Sequence, residues 1–355
     1  MRITKKGALL IVLILQVFFI NILKHYPDFV ELYYSNGLYP LLSQLMRYSF
    51  GWVSFSVGDI LYTILVVYVL RWFYKNYKRI FNDTLNWFLD VTCTISIAYF
   101  AFHLLWGFNY YRMPLHQSLN LKADYTTEEL MAFTKELIKK SNNIHEKLAN
   151  NDSTKIELPY TKTEIFEKVE YGYSVLSKTY PQLAYEPQSL KKSIYSLPLT
   201  YMGFSGYLNP FTNEAQVDGL IPIYKFPTTS CHEVAHQLGY AAENEANFIG
   251  ILAAINNNDL YFKYSGYTFA LRYCLVEIFK RDKDIYKALL ETVNLGIRKN
   301  YNEVQEFWQS YQNPLEPVFE KTFDTFLKAN NQSAGMKSYN YVVALMVNYF
   351  DNKPL

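Results

Sequence analysis

Three apolar runs crowd into the first 107 residues, and they constrain this chain more than any other feature. Residues 7–23 (GALLIVLILQVFFINIL) carry no formal charge. Residues 52–73 (WVSFSVGDILYTILVVYVLRWF) carry only Asp59 and the terminal Arg71, whose stem can bring its charge to a polar boundary. The third run, VTCTISIAYFAFHLLWG, is introduced by Trp87 and closed by Trp106. About 20 apolar residues cross a bilayer. Three transmembrane helices are therefore expected, at about 7–23, 52–73 and 87–107, with the two tryptophans as interface anchors. Buried core helices are the alternative, and three runs of spanning length so close together argue against it. A cleaved signal peptide would need small residues after the first run, and NILKHYPDF offers none, so an uncleaved anchor is expected.

Orientation follows from the Lys/Arg bias. Arg2, Lys5 and Lys6 precede the first run, and Arg71, Lys75, Lys78 and Arg79 fill the short connection between the second and third. Both should be cytoplasmic, which leaves residues 108–355 outside. Asp59 and His103 lie within or near the spans and are functional candidates. The plainer reading puts Asp59 in the headgroup layer at the end of its helix. Charged residues make up 19% of the chain and aromatic ones 18%, which excludes disorder and suits partial burial in lipid. A formal net charge of +2 gives no argument for nucleic acid. Cys93, Cys231 and Cys274 form no disulfide framework; Cys231 and Cys274 could pair, but no spacing says so.

Residues 108–355 read as an extracytoplasmic, mainly helical domain. Thr126 with Glu129 is a helix cap, and apolar spacing carries that helix to about Leu148. Thr161 to Lys178 is a second helix. From Ser189, SLPLTYMGFSGYLNPFTNEAQVDGL alternates and is rich in Gly and Pro, so one or two strands with tight turns are expected. Gly239, Gly266 and Gly296 are candidate breaks in the helical remainder. Residues 267–280 are apolar, but Arg272 and Glu277 mark a core helix and not a fourth span.

The chemistry lies in His232-Glu233-Val234-Ala235-His236, an HExxH. On a helix, positions i and i+4 share a face, so both imidazoles can reach one metal ion, and the intervening Glu can act as general base on a metal-activated water. Ser230 and Glu233 also have capping-box spacing, so the Glu has a purely structural alternative, and the His pair could be a satisfied core pair. A catalytic zinc needs a third protein ligand. If Gly239 ends the first helix, another can begin near Ala242, and Glu243 and Asn247 then share a face. Glu243 is the preferred ligand, with Asn247 bonding a ligating side chain. Glu245 is the alternative ligand, or else a solvent-facing or salt-bridged carboxylate. The arrangement HExxHxxGxxH would put its ligand at position 242, which is Ala. GYLNPFTNEAQV (206–217) is either an ordinary edge strand or one that holds an extended peptide. Tyr339, in GMKSYNYVV, is either a donor to the developing oxyanion or a packing residue.

HEVAHQLGYAAENEANF resembles the gluzincin-like HExxH peptidases, whose third ligand is a Glu on a second helix, often within ExxAD. Here the match is Glu243-Asn244-Glu245-Ala246-Asn247, with Asn in place of the Asp. Over nearly its full length the chain also resembles a family of bacterial membrane proteins, domain of unknown function 3810, in its three spans and in PFTNEAQV, TTSCHEVAHQLG, ENEANF and SYNYVV. These resemblances imply a zincin-like α+β domain with a small sheet on the periplasmic side of the bacterial inner membrane. Their implied activity is zinc-dependent hydrolysis of peptide or protein substrates, with zinc on His232, His236 and Glu243, Glu233 as base and Tyr339 as helper. A tethered zinc-binding or sensing module that cleaves nothing, or an amidase acting on cell-envelope material, is the alternative.

Overall fold

The computed structural model describes residues 5–332, 335, 341–351 and 353–355. The chain is mainly helical. Its principal helices are α1 (Lys5–Leu23), α2 (Tyr39–Phe50), α3 (Val57–Asn76), α4 (Thr84–Leu105), α5 (Thr127–Ala149), α6 (Lys162–Leu176) and α7 (Ser196–Met202). They are followed by α8 (Phe226–Gln237), α9 (Glu243–Asn256), α10 (Leu260–Arg281), α11 (Lys283–Glu291), α12 (Leu295–Ser310), α13 (Glu316–Ala329) and α14 (Val342–Phe350). Three of them, α1, α3 and α4, are long and apolar enough to cross a membrane. The second starts at Val57 and not near Trp52, because Ser56 caps it: its hydroxyl accepts from the Asp59 amide at 2.9 Å. Lys6 and Arg79 both pair with Asp90, so the start of α1 and the turn before α4 lie at the same end of the three helices.

At the other end these helices meet the remainder of the chain. The core there is built on α8, α9 and α10, with α5, α6 and α14 packed around them. Capping boxes start α5 (Thr126 with Glu129) and α6 (Thr161 with Glu164). A three-stranded sheet has the order β1 (Leu190–Lys192), β3 (Glu214–Val217), β2 (Gly206–Asn209), with β1 parallel and β2 antiparallel to β3. The texture after Ser189, from 190 to 217, therefore holds three strands and one helix. Gly203, at φ +81°, ends α7, and the three-residue β1 is too short to carry a period. Gly239, at φ +88°, is a helix stop, whereas Gly266 lies inside α10, where a side chain would meet Ala254 and Ile255 of α9. Cys231 and Cys274 are buried and unpaired with each other, and burial pushes both thiols far up.

Residues 27–56 pack on parts of residues 108–355. Glu31 pairs with Arg112, Tyr39 donates to the Gln237 carbonyl at 2.8 Å, and Lys191 donates to the Gly51 carbonyl at 2.7 Å. Glu214 accepts from the amides of Val57 and Gly58, two of the unpaired donors at the start of α3. Asp59, expected at a helix end facing the headgroup layer, is turned inward against the protein. It is fully buried, and its carboxylate accepts from Ser193 Oγ (3.0 Å), the Ile194 amide (2.6 Å) and Tyr207 Oη. His103 is likewise buried, with Nδ1 on the Tyr99 carbonyl at 2.9 Å.

Candidate metal centre

The motif helix α8 begins at Phe226 with Pro227 in its first turn, where a missing amide costs nothing. Ser230 is already one turn inside, its hydroxyl donating to the Phe226 carbonyl at 2.7 Å, so Ser230 and Glu233 form no capping box. His232 and His236 fall on one face with ring centroids 4.7 Å apart. Gly239 then reverses the chain, and Glu243 becomes the first residue of α9. Its Oε2 lies 3.4 Å from His232 Nε2 and 3.7 Å from His236 Nε2. His232, Glu233 and His236 also offer ligand atoms within 4.8 Å of one another, so two imidazoles and two carboxylates converge.

The hydrogen bonds fix what these groups can do. His236 Nδ1 meets the Tyr240 carbonyl at 2.8 Å. A carbonyl only accepts, so Nδ1 carries the proton and a neutral ring turns the lone pair of Nε2 towards Glu243. His232 Nδ1 and Glu233 Oε2 are buried without a partner among the described residues. Burial alone would lower the pKa of His236, but the Glu243 carboxylate outweighs it and lifts the group to about 9. Burial would raise Glu243, but His236 and His232 hold it well below the ordinary range. Positive charge beside Glu243 is thus favoured, and a protonated His236 is one way to supply it. A divalent cation bound through two imidazole nitrogens and a carboxylate is another, and this donor set suits zinc. Burial pushes Glu233 up to about 7, against the pull of both histidines.

Glu233 has a second neighbour besides the two histidines. Its Oε1 would lie 2.5 Å from a Cβ on Gly206, the first residue of β2. The carboxylate therefore stands against Gly206, and β2 is the outermost strand of the sheet on that side of β3 among the described residues. The two groups meet in a cleft of about 1040 Å³, whose lining includes Gly206, Tyr207, Thr229, Glu233, Glu243 and Tyr273.

Other expectations fare differently. Glu245 is neither solvent-facing nor directed at the histidines. It is buried on another side of α9, where it accepts from the Leu115 amide at 2.6 Å. Burial raises it to about 7, against that amide and Arg112. Asn247 bonds no ligating side chain and instead donates to Tyr273 Oη at 3.4 Å. Tyr339 lies outside the described residues. Sequence reasoning missed Tyr110 and Tyr273, which line the cleft. Burial, with the charge of Glu243 adding to it, raises Tyr110 well above the ordinary value; burial likewise dominates the rise of Tyr273. It also missed the groups that satisfy the last carbonyls of α8 and its turn: Trp106 Nε1 donates to His236 (3.1 Å), Tyr39 to Gln237 and Arg112 to Gly239 (2.9 Å).

Gly250 brings α9 onto α8, since a Cβ there would lie 2.9 Å from the His232 nitrogen and 3.0 Å from its Cα. Gly250→Ala must therefore push the two helices apart. The expected cost is about 1–3 kcal/mol, read as a lower thermal midpoint of the full chain in one detergent. An unchanged midpoint would mean that the helices have slack.

No curated protein and no solved structure matches the chain. One family does, described as "Protein of unknown function (DUF3810)", over residues 34–347, from the segment before α2 into α14. A match of that extent places both the site and the segments that hold it within the shared region, and the chain belongs to the DUF3810 family.

Proposed function

We propose that this chain is a membrane-anchored, zinc-dependent peptidase of gluzincin-like type. The observation that carries the reading is the meeting of His232, His236 and Glu243 at one point, with Glu233 between that point and Gly206 of β2. His232, His236 and Glu243 would hold the metal. Zinc, when bound, supplies Lewis acidity: it lowers the pKa of water and polarises a carbonyl. A peptide lies extended along β2, held by main-chain hydrogen bonds. Glu233 takes a proton from the attacking water and delivers it to the leaving amine, a task that its upward-shifted pKa suits. The Tyr110 and Tyr273 hydroxyls are candidate donors to the oxyanion, with Tyr339 as a third. On this reading α1, α3 and α4 cross the bacterial inner membrane with the N-terminus in the cytoplasm and the cleft on the periplasmic side, as the basic residues favour.

Metal content tests it. The full chain, purified in detergent and reconstituted at neutral pH, should hold about one zinc. His236→Ala and Glu243→Ala should hold none, while Glu245→Gln, which keeps an acceptor for Leu115, should match the parent. A zinc-free parent would remove the mechanism. Zinc lost with Glu245→Gln but kept with Glu243→Ala would reassign the third ligand.

A further inference from the structure

We infer that the cleft takes its substrate from the bilayer: a polypeptide whose scissile bond lies a few residues outside an apolar membrane-embedded segment, that segment seating between α3 and the α1–α4 pair. This names the substrate class of the site just described and rests on the peptidase reading. The first observation is where the cleft ends. Tyr62 of α3 and Phe102 of α4 both line it, together with Trp106 at the end of α4. Tyr62 is five residues inside its helix and Phe102 three, so the lining dips roughly 5–8 Å past the helix ends. The second is the edge strand, which stands directly over α3. Tyr62 stacks on Tyr207 of β2 (6.3 Å, 20° between planes) and meets Phe211 edge-on.

The third observation is a gap. Helices α1 and α4 pack against each other, but α3 stands apart. Seven consecutive residues of α3, Ile64 to Leu70, are each between 48% and 64% exposed. Seven residues are almost two full turns, so no face of α3 is covered there. At the far end α3 returns to α4, with Trp72 and Trp87 at 6.1 Å. The helices therefore leave between them, below the cleft, an uncovered apolar surface that, on the membrane reading above, faces lipid. Helices α7 and α13, which both contribute to the cleft lining, carry further exposed apolar residues, Leu197 and Tyr201 on α7 and Leu315 and Val318 at the start of α13, and Phe326 of α13 meets Phe102 at 6.3 Å. An edge strand takes a peptide main chain and an apolar space takes an apolar segment. A polypeptide leaving the membrane presents both in sequence.

The test uses the full zinc-loaded chain in phosphatidylcholine vesicles. One probe joins a short randomised peptide library directly to an apolar helix of about 20 residues. A second inserts a long Gly/Ser spacer between helix and library, which keeps the probe in the same bilayer but moves the library away from the surface. A third replaces the helix by a palmitoyl chain, and β-casein serves as a soluble substrate. The directly joined probe should be cut within a few residues of its apolar helix, about tenfold faster than the spaced one. Equal rates for the two would overturn the inference, because sharing a bilayer would then suffice. Cleavage of the palmitoyl probe alone would overturn it in favour of an acyl chain. Casein cleavage with no anchored probe cut would overturn it and leave the peptidase reading standing. No cleavage of any probe by the zinc-loaded chain would overturn both.

Discussion

Glu233→Gln should lower peptide hydrolysis by about 10³-fold, within the range for losing a general base, and leave zinc at about one per chain. In free energy that is about 4 kcal/mol of transition-state stabilisation. The substitution is nearly isosteric, and the group that it removes has one oxygen without a partner among the described residues. Burial penalises the carboxylate anion at this position, so a neutral amide should fold at least as well. Activity and stability are therefore expected to separate, as they would not for a structural residue. Two results would count against the assignment. Unchanged hydrolysis would show that another group moves the proton. Loss of zinc would make Glu233 a ligand, a role its nearness to both imidazoles permits, and the base would then have to be sought elsewhere.

The parts of the site that could be read from the sequence are those set by local geometry. The i, i+4 pair on α8, the stop at Gly239 and the restart at Ala242 all follow from helix period and backbone conformation, which is why Glu243 could be singled out before its position was known. The apolar helices were legible for the same reason, each being a single uninterrupted run. What escaped depends on contacts between distant positions. Nothing near Trp106, Tyr39 or Arg112 in the chain indicates that each ends on a carbonyl of α8 or its turn, more than a hundred residues away. Asp59 looks like a helix-end residue until Ser193, Ile194 and Tyr207 are brought to it. Glu245 differs from Glu243 only by its angle on α9, and the Leu115 amide that claims it belongs to another segment. Among 33 tyrosines, composition could not mark Tyr110 or Tyr273. The close approach at Gly250 had a faint signal, since Ala246, Gly250, Ala253 and Ala254 put small residues along α9 at helical spacing.

Arg112→Met should destabilise the full chain by about 3–5 kcal/mol, the cost of leaving one member of a buried ion pair uncompensated. Arg112 reaches Glu31 with two nitrogens, at 2.6 and 2.9 Å, and both side chains are largely buried, at 6% and 16% exposed. Its third nitrogen holds the Gly239 carbonyl, and its guanidinium lies 4.1 Å from the centre of the Tyr240 ring. Gly239 and Tyr240 belong to the turn that carries the chain from His236 to Glu243, and the Tyr240 carbonyl accepts from His236 itself. The ion pair therefore braces the turn that sets the separation of the proposed ligands, from a segment lying between the first two apolar helices. Zinc should leave Arg112→Met faster than it leaves the parent when a chelator is added. The second substitution that tells the contributions apart is Glu31→Leu in the same chain. If the charge left behind carries most of the cost, the double variant should regain more than half of the lost stability, because replacing a whole buried pair by apolar groups costs far less than breaking it. Equal loss in the single and double variants would assign the cost to the Gly239 carbonyl and the Tyr240 ring, and Arg112 would then brace the turn by contact and not by its charge pair with Glu31.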